Sequence, residues 1–103
     1  MSIPLDRHSL AVVAPTLAAI TEQTLFGEIW QRPLLSPRER SLITVAALIA
    51  QSRPQQLAWH LNFARQNGLS TEQLSEMMTH LAFYCGWPAA VSALELLNTT
   101  EQE

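Results

Sequence analysis

Lysine is absent from this chain of 103 residues: the basic side chains are Arg7, Arg32, Arg38, Arg40, Arg53 and Arg65, against nine acidic ones. A net charge of −3 with scattered cations argues against nucleic acid as a partner, because neutralising a phosphate backbone takes a dense cationic patch. Arginine without lysine instead suits directed contacts to carboxylates, which match the guanidinium fork. Cysteine is nearly absent. A lone Cys85 excludes an intrachain disulfide, a CxxC redox pair and a thiolate zinc site. No apolar run approaches the roughly 18 residues needed to cross a bilayer. Met1 to Leu10 carries Asp6, Arg7 and His8 where a signal peptide needs an apolar stretch, so a cytoplasmic location is expected. There is no Gly-rich phosphate loop, no HExxH, no GxSxG, no internal repeat and no charge block.

What is present is apolar content, 48% of residues, arranged with helical spacing. The pattern predicts an all-α chain, a single small domain over residues 1–103 with its core at about 15–97, and no strand. A first helix is expected from about Ala11 to Gln23, followed by an irregular segment from Leu25 to Leu35 that contains Gly27, Trp30 and Pro33. A second helix is signalled by Ser36 as cap, Pro37 at the first helical position and Glu39 three residues past the cap. A third runs from Pro54 to Asn67-Gly68, a fourth from about Thr71 to Cys85 behind a Ser70/Gln73 capping box, and a fifth from Gly86-Trp87-Pro88 to about Asn98. Residues Thr99 to Glu103 should fray. The second helix is apolar around most of its circumference, and a chain this short buries only about two thirds of its unfolded surface. The surplus predicts a homo-oligomer.

Projection at 100° per residue singles out ionisable groups on apolar faces. Glu39 shares a face with Ile43, Ala46 and Ala50, so it is expected to point toward the core; the alternative is that it merely closes the capping box. His60 lies between Phe63 and Ala64 on an apolar arc, in a polar row with Gln56 and Asn67, while Arg65, Gln66 and Asn62 take the wet side. Glu39 and His60, on consecutive helices, are expected to meet in one pocket. They are too few to hold a metal. His80 and His8 read as solvent or interface groups, Cys85 as an inert packing thiol. Trp59 and Trp87 read as core, and Trp30 also as a possible pocket wall.

Five segments together resemble the carboxymuconolactone decarboxylase family: Gly27 to Pro33, Ser36 to Thr44, Arg53-Pro54 leading to His60, Asn67-Gly68-Leu69, and Tyr84 to Ala90. The resemblance covers about Pro15 to Leu97. It implies an alkylhydroperoxidase-D-like helical subunit assembling into a ring, commonly a hexamer built as a trimer of dimers. In the peroxidase branch of that superfamily two cysteines and a histidine form the redox motif. The histidine corresponds to His60, the cysteines to Arg53 and Gln56, and the glutamate of the proton relay to Glu39, so the disulfide chemistry lacks its reacting atoms.

The reaction implied in the decarboxylase branch is loss of carbon dioxide from 4-carboxymuconolactone in bacterial aromatic catabolism. No cofactor is required, since the electrons left behind delocalise through the ring double bond into the lactone carbonyl. An anion clamp, an oxyanion donor and an acid are required. The resemblance assigns Glu39 and His60 as catalytic, with His60 as proton donor or oxyanion partner and Glu39 orienting it. Trp30, Arg32, Arg38, Arg40 and Gln56 are the expected substrate contacts, although Arg38 and Arg40 lie about 200° apart on their helix. The alternatives are a peroxidase-like oxidoreductase using Cys85 with an external thiol, and a non-catalytic oligomeric helical protein. The expected partners are a small anionic substrate and further copies of the chain.

Overall fold

The computed structural model describes residues 5–101, and among them every regular element is helical. In chain order these are α1 (Arg7–Val13), α2 (Pro15–Ile20), a π-helical segment (Thr21–Ile29), α3 (Pro37–Ala50), α4 (Pro54–Gln66), α5 (Thr71–Leu81) and α6 (Trp87–Glu101). The chain divides into two compact units, Met1–Leu35 and Ser36–Glu103.

In the N-terminal unit, Asp6 caps α1 by accepting the Ser9 amide at 2.7 Å, and Ser9 Oγ accepts the Asp6 amide at 2.9 Å. The single helix expected over Ala11 to Gln23 is broken in two. Pro15 disfavours a helical conformation at the residue before it, and Ala14 sits at φ −140°, ψ 76°. The segment expected to be irregular from Leu25 is regular as far as Ile29, wound more widely than an α-helix. Gly27 makes that winding possible: a Cβ there would lie 2.9 Å from the Glu22 carbonyl oxygen. Arg7 ties α1 to this segment. Its Nε donates to Glu22 Oε1 at 2.6 Å, and its guanidinium lies 4.4 Å from the centre of the Phe26 ring, which stacks in turn on Trp30.

The second unit begins where the capping signals put it. Ser36 Oγ accepts the Glu39 amide at 3.1 Å, and Glu39 Oε1 accepts the Ser36 amide at 2.8 Å. Both α3 and α4 close with the same double hydrogen bond past the cap. At the first, Arg53 N–H reaches Leu48 O at 3.0 Å and Ser52 N–H reaches Ile49 O at 3.1 Å; at the second, Leu69 N–H reaches Ala64 O and Gly68 N–H reaches Arg65 O. The left-handed residue is Gly68 (φ 102°) in one closure and Ser52 (φ 55°) in the other. Ser70 and Gln73 open α5 reciprocally at 3.0 Å. α5 stops at Leu81, four residues short of the expected end, as the chain tightens through Ala82–Cys85 into Gly86 at φ 98°.

Helical spacing explains the core. Val45 and Ile49 from α3, Leu57, Leu61 and Ala64 from α4, Leu74 and Met78 from α5, and Ala93 and Leu97 from α6 are buried together. Arg65, expected on the wet side, is instead half-buried and binds three helices. Its Nε donates to Thr71 Oγ1 at 3.3 Å, Nη1 to Asn62 Oδ1 and Thr100 Oγ1 at 3.1 Å, and Nη2 to the Leu97 carbonyl at 3.2 Å. A cation there satisfies carbonyls at the C-terminal end of α6, which explains why Thr99 and Thr100 are helical and Thr100 is buried instead of frayed.

Arg65→Met should lower the unfolding free energy by about 2 kcal/mol, the scale of hydrogen bonds to a charged group, read from urea midpoints. Ser36→Ala should cost about 1 kcal/mol by loss of the cap. Unchanged midpoints would remove either interaction from the account of stability.

Candidate active site

The second unit is organised by the register of α3 against α4. The turn Gln51–Arg53 reverses the chain, and Asn67 Nδ2 donates to the buried Ser41 Oγ at 3.0 Å, which pairs the start of α3 with the end of α4. Arg38 Cδ lies 3.9 Å from where a Cβ on Gly68 would stand, at the same end. His60 is seven residues before Asn67, about 10 Å back along the helix axis.

Glu39 stands two residues before Ser41, at the end of α3 that the Asn67–Ser41 hydrogen bond pairs with the end of α4. Its side chain is exposed and folds back over the first turn of its own helix onto the Ser36 amide, so the expectation that it turns toward the core is corrected. A helical projection gives the direction of Cβ; the three-atom reach of the carboxylate lets it serve the helix terminus instead. The Ser36 amide and hydroxyl hold its pKa below the usual 4.5, so Glu39 is a settled carboxylate. His60 is half-buried, with Trp59 edge-on at 4.8 Å and Phe63 at 6.2 Å, and burial pushes its pKa below 6.5. At neutral pH it is an uncharged imidazole.

The other expected substrate contacts belong to different elements. Arg38 and Arg40 are half-buried near the start of α3, Arg40 with its Nε shielded from solvent. Gln56 is exposed on the first turn of α4. Trp30, buried, and Arg32, exposed, belong to the N-terminal unit.

A cavity of about 520 Å³ opens at the opposite end of the α3/α4 pair, in the size range of small-molecule sites. Buried Ile49, Leu57 and Ala93 form its floor, flanked by Leu48, Ala89 and Leu96. Its polar groups are Ser52 and Arg53 from the turn, the half-buried Cys85 from the chain before α6, and Ser92. Two helices begin here, since Pro54 opens α4 and Pro88 lies in the first turn of α6. No side chain caps α4, so its first amides and the positive end of its dipole remain available to an anion. Among the described residues, no three of His, Cys, Asp and Glu gather as metal ligands would.

None of the seven expected site residues lines this cavity. Arg53 and Cys85 do, and they are 32 positions apart. The local signal for Arg53 was its place between a chain reversal and a helix-opening proline.

The sequence profile of the carboxymuconolactone decarboxylase family matches residues 15–99. A 4-carboxymuconolactone decarboxylase of Acinetobacter baylyi is 38% identical over 71 residues, 69% of this chain and 53% of its own. A nitrosuccinic acid decarboxylase of Metarhizium robertsii is 33% identical over 94 residues, 91% of this chain and 65% of its own. An uncharacterized 15.0 kDa protein of Paracoccus denitrificans is 25% identical over 100 residues, 95% of this chain and 75% of its own. The chain thus spans about half the length of the first relative and just under two thirds of the second.

Both titrations predict the same direction of stability with pH. His60 binds its proton more weakly when folded, so the unfolded chain takes it up first and stability declines as pH falls below 6.5. The Glu39 contribution is present above 4.5 and is lost as pH falls through its lower folded value. Urea midpoints should hold steady above about pH 7 and fall between there and about pH 3; His60→Phe should flatten the upper part of the decline and Glu39→Gln the lower.

Proposed function

Because the chain belongs to the carboxymuconolactone decarboxylase family, we propose that it is a cofactor-independent decarboxylase of a small acid that carries its own electron sink. The observation that carries this reading is that relatives at 38% and 33% identity are named for decarboxylating two unlike acids. In nitrosuccinic acid the carbon that bears the nitro group also bears a carboxylate, and the electron pair released with carbon dioxide passes into the nitro group. In 4-carboxymuconolactone it passes through the ring double bond to the lactone carbonyl. Either way one carbon–carbon bond breaks, both electrons remain on the organic fragment, carbon dioxide leaves, and a proton drawn ultimately from water joins carbon. The protein has to hold an anion, limit water and supply that proton.

The cavity at the starts of α4 and α6 supports this reading as the seat of the acid. A carboxylate over the floor of Ile49, Leu57 and Ala93 exchanges water for apolar contact, while the transition state carries a more dispersed charge and loses less solvation. In this reading Arg53 takes over the anion-contact role expected of Arg38 and Arg40, which stand at the far end of α3. His60 lies one turn along α4 from Leu57, outside the lining. In this reading of the site it packs beside Trp59 and Phe63 and makes no contact with the acid.

The reading includes self-association into a ring. Phe83, Tyr84 and Trp87, within five positions of one another in the second unit, and Val12, Val13 and Leu34 in the N-terminal unit are two thirds or more exposed, and such side chains suit burial against further copies of the chain.

Purified protein incubated separately with 4-carboxymuconolactone and with nitrosuccinic acid should release carbon dioxide from at least one, and release from neither would remove the decarboxylase reading. With the active substrate, the cavity reading expects kcat to survive both His60→Ala and Glu39→Gln, whereas a loss on the order of 10²-fold in His60→Ala would put the chemistry at His60 and overturn the cavity as its seat. Light scattering should give a mass that is a multiple of 11.5 kDa; a monomer would end the ring proposal.

A further inference from the structure

We infer that Arg53 selects dicarboxylic acids by holding the carboxylate that the reaction spares, so that the carboxylate to be lost is the one pressed onto the apolar floor. This rests on the decarboxylase reading and deepens it.

The argument is the asymmetry of the cavity. Its floor, Ile49, Leu57 and Ala93, is apolar and buried, whereas Ser52, Arg53 and Ser92 stand exposed at its rim. A monoanion entering such a site would place its carboxylate at the rim, on the guanidinium and the uncapped start of α4, and leave the apolar part of the molecule inside. That orientation keeps the scissile bond solvated. An acid with two carboxylates, held at the rim by one, is forced to carry the other inward.

The remaining arginines of this unit do not compete for the role. Arg65 is committed to Thr71, Asn62, Thr100 and Leu97, and Arg38 and Arg40 are ten and eight residues, about 15 and 12 Å of helix, from Leu48 at the cavity. Arg53 is placed by backbone geometry: its amide closes α3 on Leu48 and its carbonyl accepts the first α4 hydrogen bond, from Leu57, at 3.0 Å. Both acids in the names of the decarboxylase relatives carry a second carboxylate.

The first test takes whichever of the two acids releases carbon dioxide and compares it with its monoester at the carboxyl that the reaction spares. Wild type should favour the diacid, and Arg53→Gln should reduce kcat/KM for the diacid about 10- to 100-fold while leaving the monoester within about threefold. Arg53→Lys should recover part of the preference by charge alone. Equal losses on the diacid and the monoester, or none, would overturn the inference with the decarboxylase reading intact; carbon dioxide from neither 4-carboxymuconolactone nor nitrosuccinic acid in wild type counts against that reading instead.

A second test needs no turnover, because Cys85 lies in the same cavity. Succinate or adipate should slow alkylation of Cys85 by iodoacetamide in wild type, propionate should slow it less, and Arg53→Gln should abolish the difference. If neither diacid protects the thiol better than propionate, the assignment of Arg53 fails whatever the enzyme's substrate.

Discussion

The hydrogen bond from Asn67 to Ser41 fixes how α3 lies against α4, and most of the polar chemistry of the second unit follows from that alignment. Ser41 is almost fully buried, so its hydroxyl needs a partner inside the core; Asn67, at the last turn of α4, supplies one only if the two helices run antiparallel with these ends level. Once that is set, the start of α3 with Glu39, Arg38 and Arg40 is at one end of the pair. The chain reversal with Ser52 and Arg53 is at the other. A site built from both ends would need side chains that span the length of a helix.

Packing then divides the labour. At the Asn67 end, polar groups answer one another: a capping box, a buried amide–hydroxyl pair and, farther across, an arginine that gathers the ends of three helices. At the reversal, small residues from α6, Ala89 and Ala93, face Ile49 and Leu57 without filling the space, and a cavity remains where two helices carry proline in their first turn. Concave apolar space beside helix starts suits a small anion better than either feature alone.

The helices of the second unit were legible because their boundaries are chemical. Ser36, Pro37 and Glu39 act within four residues of one another, and Asn67-Gly68 stops a helix wherever it occurs. The N-terminal unit was less legible, because a π-helical winding has no 3.6-residue signature and the consequence of Pro15 for Ala14 competes with the apolar spacing on both sides. Arg65 was misplaced for a related reason: a wheel cannot show that a fourth helix, 32 residues later, ends over the outer face. Glu39 shows the opposite error, a residue on an inward line whose side chain satisfies its own helix start. The cavity itself depends on tertiary packing, and nothing local in the sequence joins Arg53 to Cys85.

Ser52 holds a left-handed backbone conformation at a position where its counterpart in the next closure is Gly68. A residue with a Cβ pays roughly 1 to 2 kcal/mol for that geometry, a strain that glycine would relieve. Glycine would also free the peptide that aims the following guanidinium, since a backbone without Cβ visits many more directions. Thermodynamic ease and pointing accuracy are thus antagonists at one residue, and a sequence selected for folding alone would settle that contest differently from one selected to grip a ligand.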